Sequence, residues 1–394
     1  MLKLKYLIFC LFFTSCLFSQ DLSLGQGGTN QKGYYEEINF ELANNKIILP
    51  VKINGKTYRF LLDTGAPNLL SKRVLSELNI QNTKKINVHD SNHKVDTLEM
   101  VSIPHMQIGD LDFVDNVALS SDLDNHFVLK CFKLDGFIGS NLLKNSILKI
   151  SLKDKKIIIT DDIKKLKLKS KPSSIKLIGE QKAPYISISI IGKNKKKASE
   201  DVLIDTGMDG FYEMSNRAFK IFSGENIFEE LSRSSGAGSI GLFGTPDIKE
   251  QVLIRSNLLR VNNTYFKNLI TNTTDDNNSR MGLELAEYGD IIIDFIHQKF
   301  YFEAEKEITF DKKAPVYSST AIGNKLVIGF VWDKSYQDRL HFGDEIIRIK
   351  DYKLNEMHFC DVVDLRNTLK NEDSYEMEVR SKDNKTTLLK IERK

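Results

Sequence analysis

The chain has 394 residues, 41% of them hydrophobic and 28% charged, with a formal net charge of +3. At roughly 100–200 residues per domain, that length predicts several domains, with ample apolar material for packed cores. A charge of +3 is too small to imply a nucleic-acid partner, and the short Lys runs at 164–169 and 193–197 read as solvated linker and hairpin surface.

Lys3 and Lys5 precede an apolar run from Tyr6 to Phe13. The run is well short of the ~20 residues of a membrane span. It predicts a cleaved secretory signal over residues 1–20, and hence export. Thr14-Ser15-Cys16 is also similar to a bacterial lipobox, which would make Cys16 a lipidated anchor. Residues 21–37 include a Gly/Gln/Asn-rich stretch and are expected to be disordered. Cys131 and Cys360 are the cysteines outside the signal. They are distant in sequence and in different predicted domains, so they do not suggest a disulfide framework. No Cys/His spacing suggests a metal site, and no cofactor is expected.

Next comes a strand, Ile47 to Ile53, turning at Asn54-Gly55, a strong hairpin signal. The return strand, Thr57 to Leu62, runs into Asp63-Thr64-Gly65. The pattern repeats: Ala183 to Ile191, a turn through Gly192-Lys193-Asn194, then Val202-Leu203-Ile204 into Asp205-Thr206-Gly207. A lone Asp-Thr-Gly reads as a strand-to-turn corner whose Asp caps its own backbone. Two copies in the same aliphatic context need matching surroundings, and these match. Ser71 and Ser215 each read as the N-cap of a short helix. Polar hairpins follow, Ile86 to Ile103 in the first half and Gly236 to Val252 in the second. Gly136-Phe137-Ile138-Gly139 stands to Asp63 as Met281-Gly282-Leu283 stands to Asp205. Closing hairpins, Ile150 to Ile159 and Ile293 to Phe302, keep the same register. Landmarks in register across two halves indicate an internal duplication, predominantly β. The break falls in the charged stretch 163–178, expected as a linker.

The chemistry follows from the duplication. Two carboxylates on equivalent turns can meet between the halves. At about 3 Å they cannot both ionise, so they share a proton. One then acts as base on a water, and the other donates a proton to a peptide carbonyl. Thr64 and Thr206 can bond across the interface, and Gly65 and Gly207 bring backbone N–H groups close. The polar hairpins could close over a bound chain as flaps.

The paired motifs, the glycine segments and the closing hairpins resemble aspartic peptidases of the pepsin/retropepsin type, in particular the bacterial retropepsin-like group with both lobes in one chain. The resemblance spans about Ile38 to Ala304. It implies a β-barrel lobe on each side, at 38–162 and 179–306, and catalytic Asp63 and Asp205. It also implies endopeptidase action on peptide or protein substrates by a complete monomer. Thr64, Gly65, Thr206 and Gly207 support the site, and Asp209 and Ala66 are the candidate substrate-binding residues. The first motif continues Ala66-Pro67-Asn68 where the family has Ser or Asp. The last residues, 315–394, form a separate α+β module. Leu340 to Ile349 resembles the Gly-Asp strand of PDZ domains, which implies docking of a C-terminal peptide. The alternatives are a non-catalytic peptide-binding envelope protein and a carboxylate-pair glycosidase. The glycosidase needs carboxylates about 5 Å or more apart, and the chain has a single Trp, Trp332, for sugar stacking.

Overall fold

A computed structural model describes residues 21–393 apart from 82, 246 and 369–371. The predicted signal and Cys16 lie outside the described residues. Among the described residues, strands form three sheets of eight, fourteen and six members.

The eight-stranded sheet builds lobe 1 and includes Lys46–Ile53, Lys56–Asp63, Val95–Ile108 and Leu111–Ser121. The hairpin into Asp63 forms because Asn54 and Gly55 both take positive φ, 50° and 77°, matching the twist of paired strands. Lobe 2 repeats it with Ala183–Ile191 and Lys197–Ile204. After each motif a Ser hydroxyl accepts a helix-initiating N–H, Val74 N–H to Ser71 (3.2 Å) and Ala218 N–H to Ser215 (3.1 Å).

The lobes share one sheet. The closing strand Ile147–Ser151 of lobe 1 pairs antiparallel with Gly289–Asp294 of lobe 2, Ile147 opposite Asp294 and Ile150 opposite Ile291. Lys149 and Asp290 form a 2.7 Å ion pair across this seam. One contiguous apolar core runs from Ile47 and Phe60 in lobe 1 through Leu148 and Ile293 to Phe266 and Phe302 in lobe 2. Opening the cleft by parting the lobes would therefore break sheet and core together.

Three expectations are corrected. The segment expected to be disordered is docked: Gly28 and Val114 exchange backbone hydrogen bonds at 3.1 and 2.9 Å, and Tyr34 is buried. Gly27 (φ 74°) serves close approach, since a Cβ there would lie 2.5 Å from the Asp115 carbonyl. The expected linker contains a strand, Ser173–Ile178, paired with Ala183–Ile191 and with Ser173 opposite Phe300. Its alternation buries Ile175 and leaves Lys176 exposed. Finally, Cys131 and Cys360 are joined in a disulfide across 229 residues of sequence. Sequence distance hid a contact that only domain docking creates.

The C-terminal module has strands Tyr317–Ile322, Lys325–Val331, Glu345–Ile349, Tyr352–Lys353, Ser374–Arg380 and Thr386–Glu392, with a helix Phe359–Thr368 and its own apolar core around Ile328 and Met377. It is fastened to both lobes. The disulfide ties the helix to the turn Leu129–Phe132 of lobe 1. Against lobe 2, Val331 N–H donates to Ser234 (2.9 Å), Ser232 to the Trp332 carbonyl (2.5 Å), and Phe330 and Trp332 pack on Leu253.

Candidate active site

Each aspartate sits where a buried strand ends. Lys56–Asp63 runs parallel to Gly136–Gly139, and Lys197–Ile204 parallel to Arg280–Met281. Leu62 and Ile204 are almost wholly buried, so each turn projects from a fixed base.

The two turns interlock through their threonines. Thr64 Oγ1 donates to the Ile204 carbonyl (2.6 Å) and accepts the Thr206 N–H (3.1 Å). Thr206 Oγ1 donates to the Leu62 carbonyl (2.8 Å) and accepts the Thr64 N–H (3.0 Å). Four buried bonds related by pseudo-twofold symmetry thus fix one turn against the other. Ser140 adds a bond to the Thr64 carbonyl at 2.7 Å.

The lock brings the carboxyls together between the lobes, close enough for the charge of Asp205 to act on Asp63. Each lies against the glycine of the opposite motif. A Cβ on Gly65 would meet Asp205 Cγ at 2.7 Å, and one on Gly207 would meet Asp63 Cγ at 2.5 Å. Only glycine leaves room for the pair. Asp63 Oδ1 accepts the Gly65 N–H (3.0 Å). Asp205 Oδ1 accepts both Gly207 N–H (3.0 Å) and Met208 N–H (3.1 Å). Desolvation between the lobes, and next the charge of Asp205, push the Asp63 carboxyl up to about 7, against the opposing influence of Lys46 and the Gly65 N–H. One proton shared by two carboxyls can therefore persist to neutral pH.

The flanks of the two carboxyls differ. Beside Asp63 lies an apolar cluster of Leu61, Leu69 and Phe137, with Ala66 and, from the C-terminal helix, Val363 packed on it. Beside Asp205 stands Arg280, its side chain 9% exposed, 3.4 Å from Asp205 Oδ2, 2.9 Å from Glu213 and 3.6 Å from Asp276. Burial opposes the guanidinium charge, but the three carboxylates outweigh it and hold the proton more tightly than usual. Burial pushes the Glu213 and Asp276 carboxyls up, with Arg280 opposing. Asp209 is ion-paired with Lys46, which also donates to the Gly207 carbonyl. Its carboxylate is engaged in holding the second turn to lobe 1. Ala66 packs beside the apolar cluster, and its carbonyl accepts the Ser140 N–H (3.3 Å). At the Ala66-Pro67-Asn68 departure, Asn68 ties the loop to the glycine segment: it accepts the Gly139 N–H and donates its own N–H to Asn141, both at 2.8 Å.

The flaps meet across the site. The first, Thr83–His89 with Val95–Ile108, carries Asp90 at its tip, and Asp90 Oδ2 accepts the Phe243 N–H (3.0 Å) of the second. Asn92 donates to the Ser239 carbonyl (3.2 Å). The second flap is larger than its glycines suggest. Its strands are Phe228–Gly236 and Lys249–Val261, and the glycine-rich residues form the tip between them.

Arg280, Glu213, Asp276 and Lys46 escape a reading based on shared motifs, because they are what the two halves do not share. Superposing the strand registers would expose Arg280. Leu61 pairs with Phe137 as Leu203 pairs with Arg280, so Arg280 occupies the position of Phe137.

The profile of a family described as aspartyl protease matches residues 49–142. Among solved structures, the aspartic proteinase from Irpex lacteus is 11% identical, with a TM-score of 0.43, covering 69% of this chain and 97% of its own. A retropepsin-like aspartic protease from Rickettsia conorii is 17% identical, with a TM-score of 0.26, covering 32% and 89%. No curated protein matches. The aspartyl protease match thus falls on lobe 1, and it takes in both Asp63-Thr64-Gly65 and the Gly136–Gly139 segment behind it.

Proposed function

We propose that this chain is an aspartic endopeptidase, with Asp63 and Asp205 as its catalytic pair. The observation that carries the reading is the threonine-locked meeting of two carboxyls from pseudo-symmetric lobes. A water between them loses a proton to the ionised carboxylate as its oxygen attacks the peptide carbonyl carbon. The protonated partner donates to the carbonyl oxygen, giving a tetrahedral diol. The diol collapses as the C–N bond breaks and the nitrogen takes up a proton. Both lobes lie in one chain, so a monomer supplies every group this requires. The closed flaps, bonded at their tips and with Leu242 and Phe243 packed against the strands of the first, must part to admit an extended peptide. Export to the periplasm or envelope, with or without a lipid on Cys16, belongs to the same proposal and rests on the N-terminal sequence.

For the PDZ-like module we propose a regulatory docking role on the protease lobes. Its strand Lys325–Val331 faces lobe 2, and its helix reaches the apolar cluster beside Asp63. Capture of a peptide on that strand would require the module to swing away.

One observation favours the non-catalytic reading: Arg280 occupies an oxygen of Asp205. The deciding experiment assays the purified mature protein on an unstructured protein across pH, beside Asp63→Asn and Asp205→Asn. Cleavage by wild type and loss in both variants, with folding intact, supports the peptidase. Absence of cleavage by wild type, or full cleavage by either variant, refutes it.

A further inference from the structure

The strand registers make lobe 2 a chemical inversion of lobe 1 at one place. Glu213 pairs with Arg280 as Leu69 pairs with Phe137. Lobe 1 therefore backs its aspartate with an apolar Leu/Phe pair, and lobe 2 backs its own with a Glu/Arg pair at the same positions. A buried ion pair in place of apolar packing stabilises a fold weakly at best, because desolvation offsets the attraction. Its position against Asp205 points to another role.

The donors converge unequally on the two carboxyls. Asp205 accepts two backbone N–H bonds and faces the Arg280 guanidinium. Asp63 accepts one backbone N–H. Each donor to a carboxylate favours its charged form, as does a cation beside it. We propose that Arg280 is a positioning residue that fixes Asp205 as the ionised member of the pair, making Asp205 the base that takes the water proton and Asp63 the acid that protonates the substrate carbonyl. Glu213 and Asp276 hold the guanidinium in place on its other edges. The inference rests on the peptidase reading for its catalytic roles, but the charge assignment stands on geometry alone. The elevated Asp63 carboxyl agrees with it.

Other titratable groups surround this cluster: Glu200 accepts from Ser279 and from Tyr212, next to Arg280 and Glu213, and Arg217 lies near Glu200 and Tyr185. Tyr185, from strand Ala183–Ile191, lies near Asp205 and Asp276, and His93 of the first flap lies near Asp276. Lys46 faces Asp63 and is paired with Asp209. None of these places a second cation against Asp205.

The test pairs a kinetic with a spectroscopic arm. Arg280→Met alone leaves Glu213 buried without its partner and could unfold. The double variant Arg280→Met/Glu213→Leu instead restores the apolar character found in lobe 1. In kcat/KM against pH, the acid limb reports ionisation of the base. It should move up by about one to three pH units in the double variant, while the alkaline limb stays. Arg280→Lys should keep a limb near that of wild type. A folded double variant with an unmoved acid limb overturns the proposal. In the second arm, carboxyl 13C NMR follows Asp205 in Asp63→Asn, with and without the double substitution. Ionisation of Asp205 at higher pH in the triple variant supports the assignment, and superimposable titrations overturn it. This arm needs no turnover. If wild type cleaves nothing, the peptidase reading falls while the charge assignment is still decided.

Discussion

The threonine lock offers the sharpest test of how the site is held. Thr206→Val keeps the shape of the side chain and removes its hydroxyl. The Leu62 carbonyl then loses its donor, and the Thr64 N–H loses its acceptor. Both groups lie in the buried seam, where water cannot replace the lost partner. An unsatisfied buried polar group costs about 1–3 kcal/mol, so the two together cost about 2–6 kcal/mol. The loss falls on the contact that sets the distance between Asp63 and Asp205, so kcat should drop by about a hundredfold, the typical cost of a misplacement near 1 Å. Thr206→Ser retains the hydroxyl and should recover most of both. Urea titration gives the stability, and peptide hydrolysis the rate. A Thr206→Val protein with the stability and kcat of wild type would show that the lock does not hold the pair.

Replacing both Cys131 and Cys360 by Ser opens a closure of 229 residues. The chain-entropy model places such a loss near 5 kcal/mol, felt mainly by the docking of the C-terminal module; hydrogen exchange of the helix Phe359–Thr368 should rise, and unchanged exchange would contradict a tether. Asp63 has a folded pKa near 7, above its unfolded value, so it binds a proton more readily when folded. Its contribution to stability is therefore fully present below about pH 4 and fades as pH rises through 7. Asp63→Asn should then melt above wild type at pH 8 and lose that advantage toward pH 4, as thermal scans at both pH values would reveal. At the flap tips, Asp90→Ala removes the acceptor for the Phe243 N–H. Exchange protection at Phe243 should fall and KM change while the stability of the lobes stays; full protection at Phe243 would refute the latch.

The sequence by itself determined what repeats. Two Asp-Thr-Gly turns in aliphatic context, two Ser caps, two glycine segments and two closing hairpins are local patterns, written in neighbouring residues and in their spacing. The strand pattern and Asn54-Gly55 follow from backbone preference and alternation alone. Tertiary structure decided what differs between the halves and what touches across them. Glu213 comes from one stretch of lobe 2 and Asp276 with Arg280 from another, and only the strand pairing brings them together beside Asp205. The Cys131–Cys360 bond and the seating of the N-terminal glycines likewise need surfaces that exist only after folding. A motif names its chemistry locally. The charge state of that chemistry depends on neighbours that chain order does not reveal, because electrostatics acts through space.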